Sequence, residues 1–159
     1  MIDEELVAKR LKTLEIHFQS EIDHDWQACI DTFHGEPRYE IVPLGQIHEG
    51  VEAVTEYHRA QRTAFPDQRH ENVRMHPSTD AIVAEFDLLG TNTGEFMGMA
   101  PTGKAFRVPV VAVFQFEGEL VTNERVYLDV ASLVKQVGRE ELLPFIGVED
   151  FAAPQMKVS

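Results

Sequence analysis

The feature that most constrains this chain is the segregation of its patterning: helical periodicities occupy the first part, and strand signals then run almost unbroken from residue 68 to residue 129. From Asp3 to Ile22, the apolar residues Val7, Leu11, Leu14, Phe18 and Ile22 recur at helical spacing, predicting an amphipathic helix with one buried seam. HDWQACIDTF starts a second, shorter helix, capped by Asp23 or Asp25 and ended by Gly35 and Pro37. PRYEIVPL alternates as a short strand, and VEAVTEYHRAQRTAF is a third helix with Val51, Val54, Tyr57, His58, Gln61 and Phe65 on one side, stopped by Pro66. HENVRMH, TDAIVAEFDLLGTN, AFRVPVVAVFQF and LVTNERVYLD follow as strands divided by turn signals such as PSTD and EGE. Helices first and strands after predict an α+β fold, with three N-terminal helices on one face of an antiparallel sheet and the early strand at its edge. The run from Phe106 to Phe116 would span roughly 36 Å, a length that bends and gives the sheet a concave side. VASLVKQVG closes with one helix ended by Gly138.

Length and charge narrow the function. With 159 residues and 43% apolar content, the chain suits a single domain with one sizeable core. The formal net charge is −13, and the basic residues are scattered, with Arg59, Arg62 and Arg69 interleaved among Glu56, Asp67 and Glu71. Phosphate backbones and anionic membranes are therefore repelled, so neither nucleic acid nor membrane is an expected partner. Cys29 is the sole cysteine, which excludes an internal disulfide and any cysteine-based zinc site. The charged N-terminus MIDEELVAKRLK and the lack of a long apolar run lead us to expect a cytoplasmic protein.

One motif invites a misreading. Gly98 to Lys104 spells G-x-x-x-x-G-K, the frame of a phosphate-binding loop. Such a loop needs Ser or Thr after the lysine and a helix behind it, whereas Ala105 follows here and FRVPVVAVFQF continues as a strand. Pro101 also removes a backbone donor. A glycine-rich connection between two long strands is the expectation, with Phe96, Met97 and Met99 over the mouth of a cavity or on a plain surface loop.

Three groups of residues offer chemistry. His17, Glu21 and His24 form one stripe at the edge of the first helix's buried face. That stripe is open to three readings: partly solvated, bordering a ligand cavity, or binding a metal, although zinc sites of this geometry want histidine where Glu21 stands. In the last strand, Asn123, Arg125, Tyr127 and Asp129 share one face, and Glu124, Val126 and Leu128 the other. If the polar face is concave, Asp129 projects into an apolar cup as an acid poised for proton transfer. Otherwise that face is solvated or covered by a partner, and Asp129 caps the final helix. Glu85 and Asp87 are expected on the outside of their strand, and Tyr57, His58 and His76 are further candidates. We find no G-x-S-x-G elbow and no clear nucleophile constellation.

AFPD, G-x-F-x-G-x-x-P-T-G-K (residues 94–104) and the closing E-x-x-Y-x-D-x-x-x-L-x-x-Q-x-G (residues 124–138) resemble the SnoaL-like polyketide cyclase family, over roughly residues 10–138. The departure is Val137, where the family usually has leucine. The resemblance implies the nuclear-transport-factor-2-like cone, shared with ketosteroid isomerase, over residues 1–138, with an internal cavity. Residues 139–159 would then be a C-terminal tail packing on a partner subunit of a homodimer. It also implies acid–base chemistry without metal or cofactor: aldol cyclisation (a lyase) or isomerisation of a small apolar carbonyl-bearing molecule. The family's catalytic Asp corresponds to Asp129, and by position His17, Tyr57, His58, Arg125 and Tyr127 would bind the substrate. The alternative is a non-catalytic ligand-binding or dimeric assembly module of the same fold.

Overall fold

The computed structural model describes residues 1–147. Helix α1 (Glu4–Asp23) opens on an Asp3 side chain that accepts from the Glu5 and Leu6 amides, and it ends at His24 in the left-handed region. Helix α2 (Trp26–Ile30) is capped by Asp25, whose carboxylate accepts from the Ala28 amide. Strand β1 (Arg38–Ile41) leads through a 3₁₀ turn (Val42–Leu44) to β2 (Gln46–Glu49), helix α3 (Val51–Ala64), and the long strands β3 (Arg69–Pro77), β4 (Ala81–Thr91), β5 (Ala105–Glu117) and β6 (Leu120–Leu128). Helix α4 (Val130–Gln136) and a second 3₁₀ segment (Glu140–Phe145) follow.

The architecture is the expected α+β arrangement, helices on one side of a six-stranded sheet ordered β2-β1-β6-β5-β4-β3. Two details differ from the sequence reading. The sheet is mixed, because β1 runs parallel to β6 while the other pairings are antiparallel. The edge strand is β2, a four-residue piece too short for its alternation to register, which hairpins back onto β1.

Register fixes which side chains reach the interior. Opposed residues share a face, so Ile82, Phe114 and Glu124 form one inward row, and Phe86, Val110 and Leu128 another. Val83, Val113 and Arg125 form an outward row, as do Glu85, Val111 and Tyr127. Phe114, Ile82, Ala84 and Ala112 are fully buried under α1 and α3, forming the floor of the core with Leu14, Val54, Phe65 and Val134.

Helix α1 buries Leu14 and Phe18 of the predicted apolar seam, but much of its inward face is polar. Its inward face carries Arg10, Thr13, Leu14, His17, Phe18, Ser20 and Glu21, while Ile16 and Ile22 are exposed. Arg10 ties the helix to two distant turns, donating to the Gly118 and Thr79 carbonyls at 2.8 and 2.9 Å and lying over the Phe116 ring.

The loop between β4 and β5 is organised by Asn92, which is fully buried. Its amide nitrogen donates to the carbonyls of Gly94 and Ala64, and its oxygen accepts from the Thr102 amide. Gly94 lies so close to the end of α3 that a Cβ there would run into the Thr63 carbonyl. The G-x-x-x-x-G-K frame is thus a strand connection, as its neighbours implied. No helix of the described residues is long and apolar enough to cross a membrane.

Candidate active site

A cluster of ionisable side chains lies where α1, α2 and α3 meet β1, β3 and β6. Glu21 is its hub. The Glu21 carboxylate lies 3.2 Å from His70 Nε2, 3.4 Å from His17 Nε2, 3.5 Å from Arg62 Nη2 and 3.8 Å from His58 Nδ1. Arg62 also donates to the Glu21 carbonyl through Nε at 3.1 Å, locking α3 to the end of α1. Burial would push the Glu21 carboxyl up, but hydrogen bonds from His17 and His70 and the charge on the histidines outweigh it and hold it well below the ordinary carboxylate range.

The second carboxyl is Glu124, 2% exposed, whose Oε2 is 3.0 Å from His17 Nε2. Its environment acts the other way. Burial raises its pKa, the neighbouring Glu21 charge adds to that, and the His17 charge and Tyr39 hydroxyl only partly offset the rise. The two interior carboxyls are thereby split, Glu21 lowered and Glu124 raised.

His17 connects them, and its tautomer follows from a count of protons. The Thr32 hydroxyl donates its one proton to the Cys29 carbonyl at 2.6 Å. Thr32 Oγ1 can then only accept from His17 Nδ1, 2.9 Å away, so Nδ1 carries hydrogen and Nε2 faces Glu124. Burial favours neutral His17, but the adjoining Cys29 and Glu124 reverse this and raise its pKa well above the ordinary value. His17 Nε2 and Glu124 Oε2 face each other across 3.0 Å as a charge contact, without the alignment of a hydrogen bond. His58 is different: burial outweighs the pull of Glu21 and lowers its pKa to about 4, leaving it neutral near pH 7.

The cluster opens into a cavity. An inner chamber of about 70 Å³ is lined on its polar side by Glu21, Glu124, Tyr39, Tyr57, Gln61 and His70, and on its apolar side by Phe86, Val110 and Leu128. A larger outer chamber of about 230 Å³ shares Tyr57, Gln61, Phe65, Leu128 and Leu133 with it and extends past Phe96 and Met97 to Leu142 and Ile146. Burial raises the Tyr57 hydroxyl far above its ordinary pKa, so it remains a neutral donor where the chambers meet.

The residues singled out from sequence fall on both sides of the sheet. His17, Tyr57 and His58 are brought together, Tyr57 lining both chambers, with His17 and His58 packed behind them. Asp129, Arg125 and Tyr127 are not. Asp129 is exposed and caps α4, its two oxygens accepting from the Ser132 amide at 2.9 Å and hydroxyl at 2.5 Å. Those Ser132 bonds hold its carboxyl below the ordinary range, the opposite of an acid poised near neutrality. Tyr127 is 40% exposed and borders a groove on the outer face, and Arg125 lies in the adjoining outward row. The correction has a simple origin. Glu124 shares its parity with Val126 and Leu128, and the apolar residues take that parity inward.

His24 also leaves the stripe, because the left-handed turn at its own position points it outward, stacked on Trp26. The metal reading that needs both histidines therefore loses one of them. Among the described residues, His17, Glu21 and Cys29 do approach one another within 4.8 Å. However, Cys29 Sγ sits 3.8 Å from His17 Nδ1, the nitrogen already committed to Thr32. Glu85 and Asp87 are on the outer face as expected, paired with His76 and Arg107. Sequence reasoning missed Glu124, Tyr39, Arg62 and His70. Parity would have found Glu124, and Tyr39 alternates inward with Ile41.

Comparison with known proteins agrees with this architecture. The structure superposes on a protein described as a SnoaL-like polyketide cyclase from a Jannaschia species, with a TM-score of 0.75 and 21% identity over 82% of this chain and 92% of that one. It is similar to a protein described as a polyketide cyclase from Xanthomonas campestris pv. campestris, with a TM-score of 0.75 and 14% identity over 82% and 97% of the two chains. It is also similar to a protein with a ketosteroid isomerase-like fold from Catenulispora acidiphila, solved with trimethylamine, with a TM-score of 0.69 and 16% identity over 79% and 92%. No curated protein sequence matches the chain. The model of one family matches residues 16–137, most of the chain, and so the protein belongs to the SnoaL-like polyketide cyclase family.

Proposed function

We propose that this protein is a cytoplasmic enzyme that moves a proton on a small carbonyl-bearing substrate, with Glu124 as the acid and base. The observation that carries this reading is the split between the two interior carboxyls, Glu124 raised and Glu21 lowered, at the wall of one cavity. With His17 protonated beside it, the Glu124 carboxylate takes a proton from the carbon next to the carbonyl. The C–H electron pair moves into the enolate, whose oxygen accepts from the Tyr57 hydroxyl. Returning the proton to a different carbon completes an isomerisation. Attack of the enolate carbon on a second carbonyl of the same molecule completes an aldol ring closure, the alkoxide taking the proton from Glu124. Family membership supports this class of chemistry, cyclisation or isomerisation.

The test is exchange of α-hydrogens in D₂O, followed by NMR over a panel of small ketones. Wild-type protein should catalyse it, and Glu124→Gln should lower the rate by about a hundredfold or more, the usual scale for a general acid or base. An unchanged rate in that variant would remove Glu124 from the chemistry. We also propose a homodimer that pairs through the outer sheet face, where Val83, Val111 and Val113 form an apolar stripe beside Arg74, Glu85 and Arg125. Light scattering that gives a monomer mass would overturn that proposal.

A further inference from the structure

The two chambers differ in chemistry as well as size. Polar groups converge on the inner one, and at about 30 Å³ per water-sized group its 70 Å³ accepts about two such groups, the size of a single carbonyl. The outer chamber is walled mainly by Ile41, Leu44, Phe65, Phe96, Leu128 and Val130, and on the same scale its 230 Å³ holds about eight. Its far wall, Leu142 and Ile146, lies beyond residue 137, where the family match ends, so this end of the pocket belongs to this chain's own sequence. That wall is held in place by backbone and side chain. The Arg139 amide donates to the Val134 carbonyl at 2.7 Å, the Leu142 amide to the Arg139 carbonyl at 2.9 Å, and the Arg139 guanidinium to the Ala100 carbonyl. On the opposite rim stands Met97, 69% exposed and in the left-handed region at φ 51°, an apolar side chain that water solvates poorly and a ligand would cover.

We infer that the site takes a medium-sized amphiphile, one carbonyl head joined to an apolar body of about eight water-sized groups, and that Leu142 and Ile146 limit the length of that body. A medium chain or a single substituted ring fits. The inference rests on the proposed role of Glu124 only for the direction in which the head points.

Binding is tested without turnover, by ¹H–¹⁵N shift titration of wild type and Glu124→Gln with methyl ketones from butan-2-one to dodecan-2-one. Affinity should rise about threefold to fourfold per methylene as far as about nonan-2-one and then level off. Leu142→Ser should weaken nonan-2-one about tenfold and leave butan-2-one within about twofold. Met97→Ser, at an exposed position, should show the same pattern more weakly. Affinity independent of chain length, or equal losses for both ketones in both variants, would overturn the inference. If the chain-length slope appears in wild type and in Glu124→Gln while neither catalyses hydrogen exchange, the binding inference stands and the proton-transfer reading fails.

Discussion

Replacing Glu21 by Gln removes a charge without removing volume, and the surroundings set the consequence. Arg62 is 4% exposed, and its guanidinium faces the Glu21 carboxylate at 3.5 Å, with His70 at 3.2 Å from the same carboxylate. Without the anion, a buried guanidinium loses its counter-charge, and breaking a buried pair from one side typically costs about 3–5 kcal/mol. For a urea slope of roughly 2 kcal/mol/M, the unfolding midpoint should fall by about 1.5–2.5 M. Adding Arg62→Met removes the stranded charge as well, so the double variant should recover most of the loss and the cycle should show strong coupling. Equilibrium urea unfolding, read by circular dichroism and by Trp26 fluorescence, measures all four proteins. A loss below about 1 kcal/mol for Glu21→Gln, the scale of an exposed pair, would refute the idea that the hub is a desolvated charge network.

Other consequences are equally open to measurement. Asp129→Ala should lose about 1 kcal/mol of stability through its helix cap and leave ketone exchange unchanged, as unfolding and NMR assays on one preparation would show. His58 has a folded pKa of about 4 against 6.5 unfolded, so the unfolded chain binds the extra proton between those values. Stability should therefore be full above pH 6.5 and fall by roughly 3 kcal/mol toward pH 4, and His58→Gln should flatten that limb in a pH series of unfolding curves. The raised pKa of His17 acts with the opposite sign, adding stability at low pH that is lost as pH rises through its folded value. Gly94→Ala should destabilise by about 1–3 kcal/mol in thermal unfolding, since its Cβ meets the Thr63 backbone rather than a movable side chain.

The elements were legible in the sequence where one kind of burial ruled a whole segment. Strands β4 and β5 carry apolar residues at every second position against a single core, and their spans follow from that alternation. The family motifs located the glycine-rich connection and the closing helix. Helix α1 is harder to read because its buried face also carries Arg10, Thr13, His17 and Glu21, and Arg10, His17 and Glu21 find partners on elements distant in sequence. A hydropathy pattern registers none of that, and it puts Ile22 in the buried seam, whereas the residue in fact faces water.

The candidate site shows the same division. The stripe of His17 and Glu21 could be seen as chemistry, but its partners Arg62, His70 and Glu124 come from α3, β3 and β6 and meet only on folding. Asp129 drew attention because it ends a polar strand face and fills the family's motif. The face it ends is the outer one, decided by which residues lie opposite Phe114 and Val110. A carboxylate at the first residue before a helix is as well explained by capping as by catalysis, and here both oxygens are spent on Ser132.

The most direct test of the account is a carboxyl-detected ¹³C NMR titration of both groups in one sample. The account predicts that Glu124 titrates above the ordinary glutamate range, coupled to the His17 ring, while Asp129 titrates below the ordinary aspartate range. Glu124 titrating like a surface glutamate, or Asp129 above it, would contradict the placement of the proton-handling acid inside the cavity.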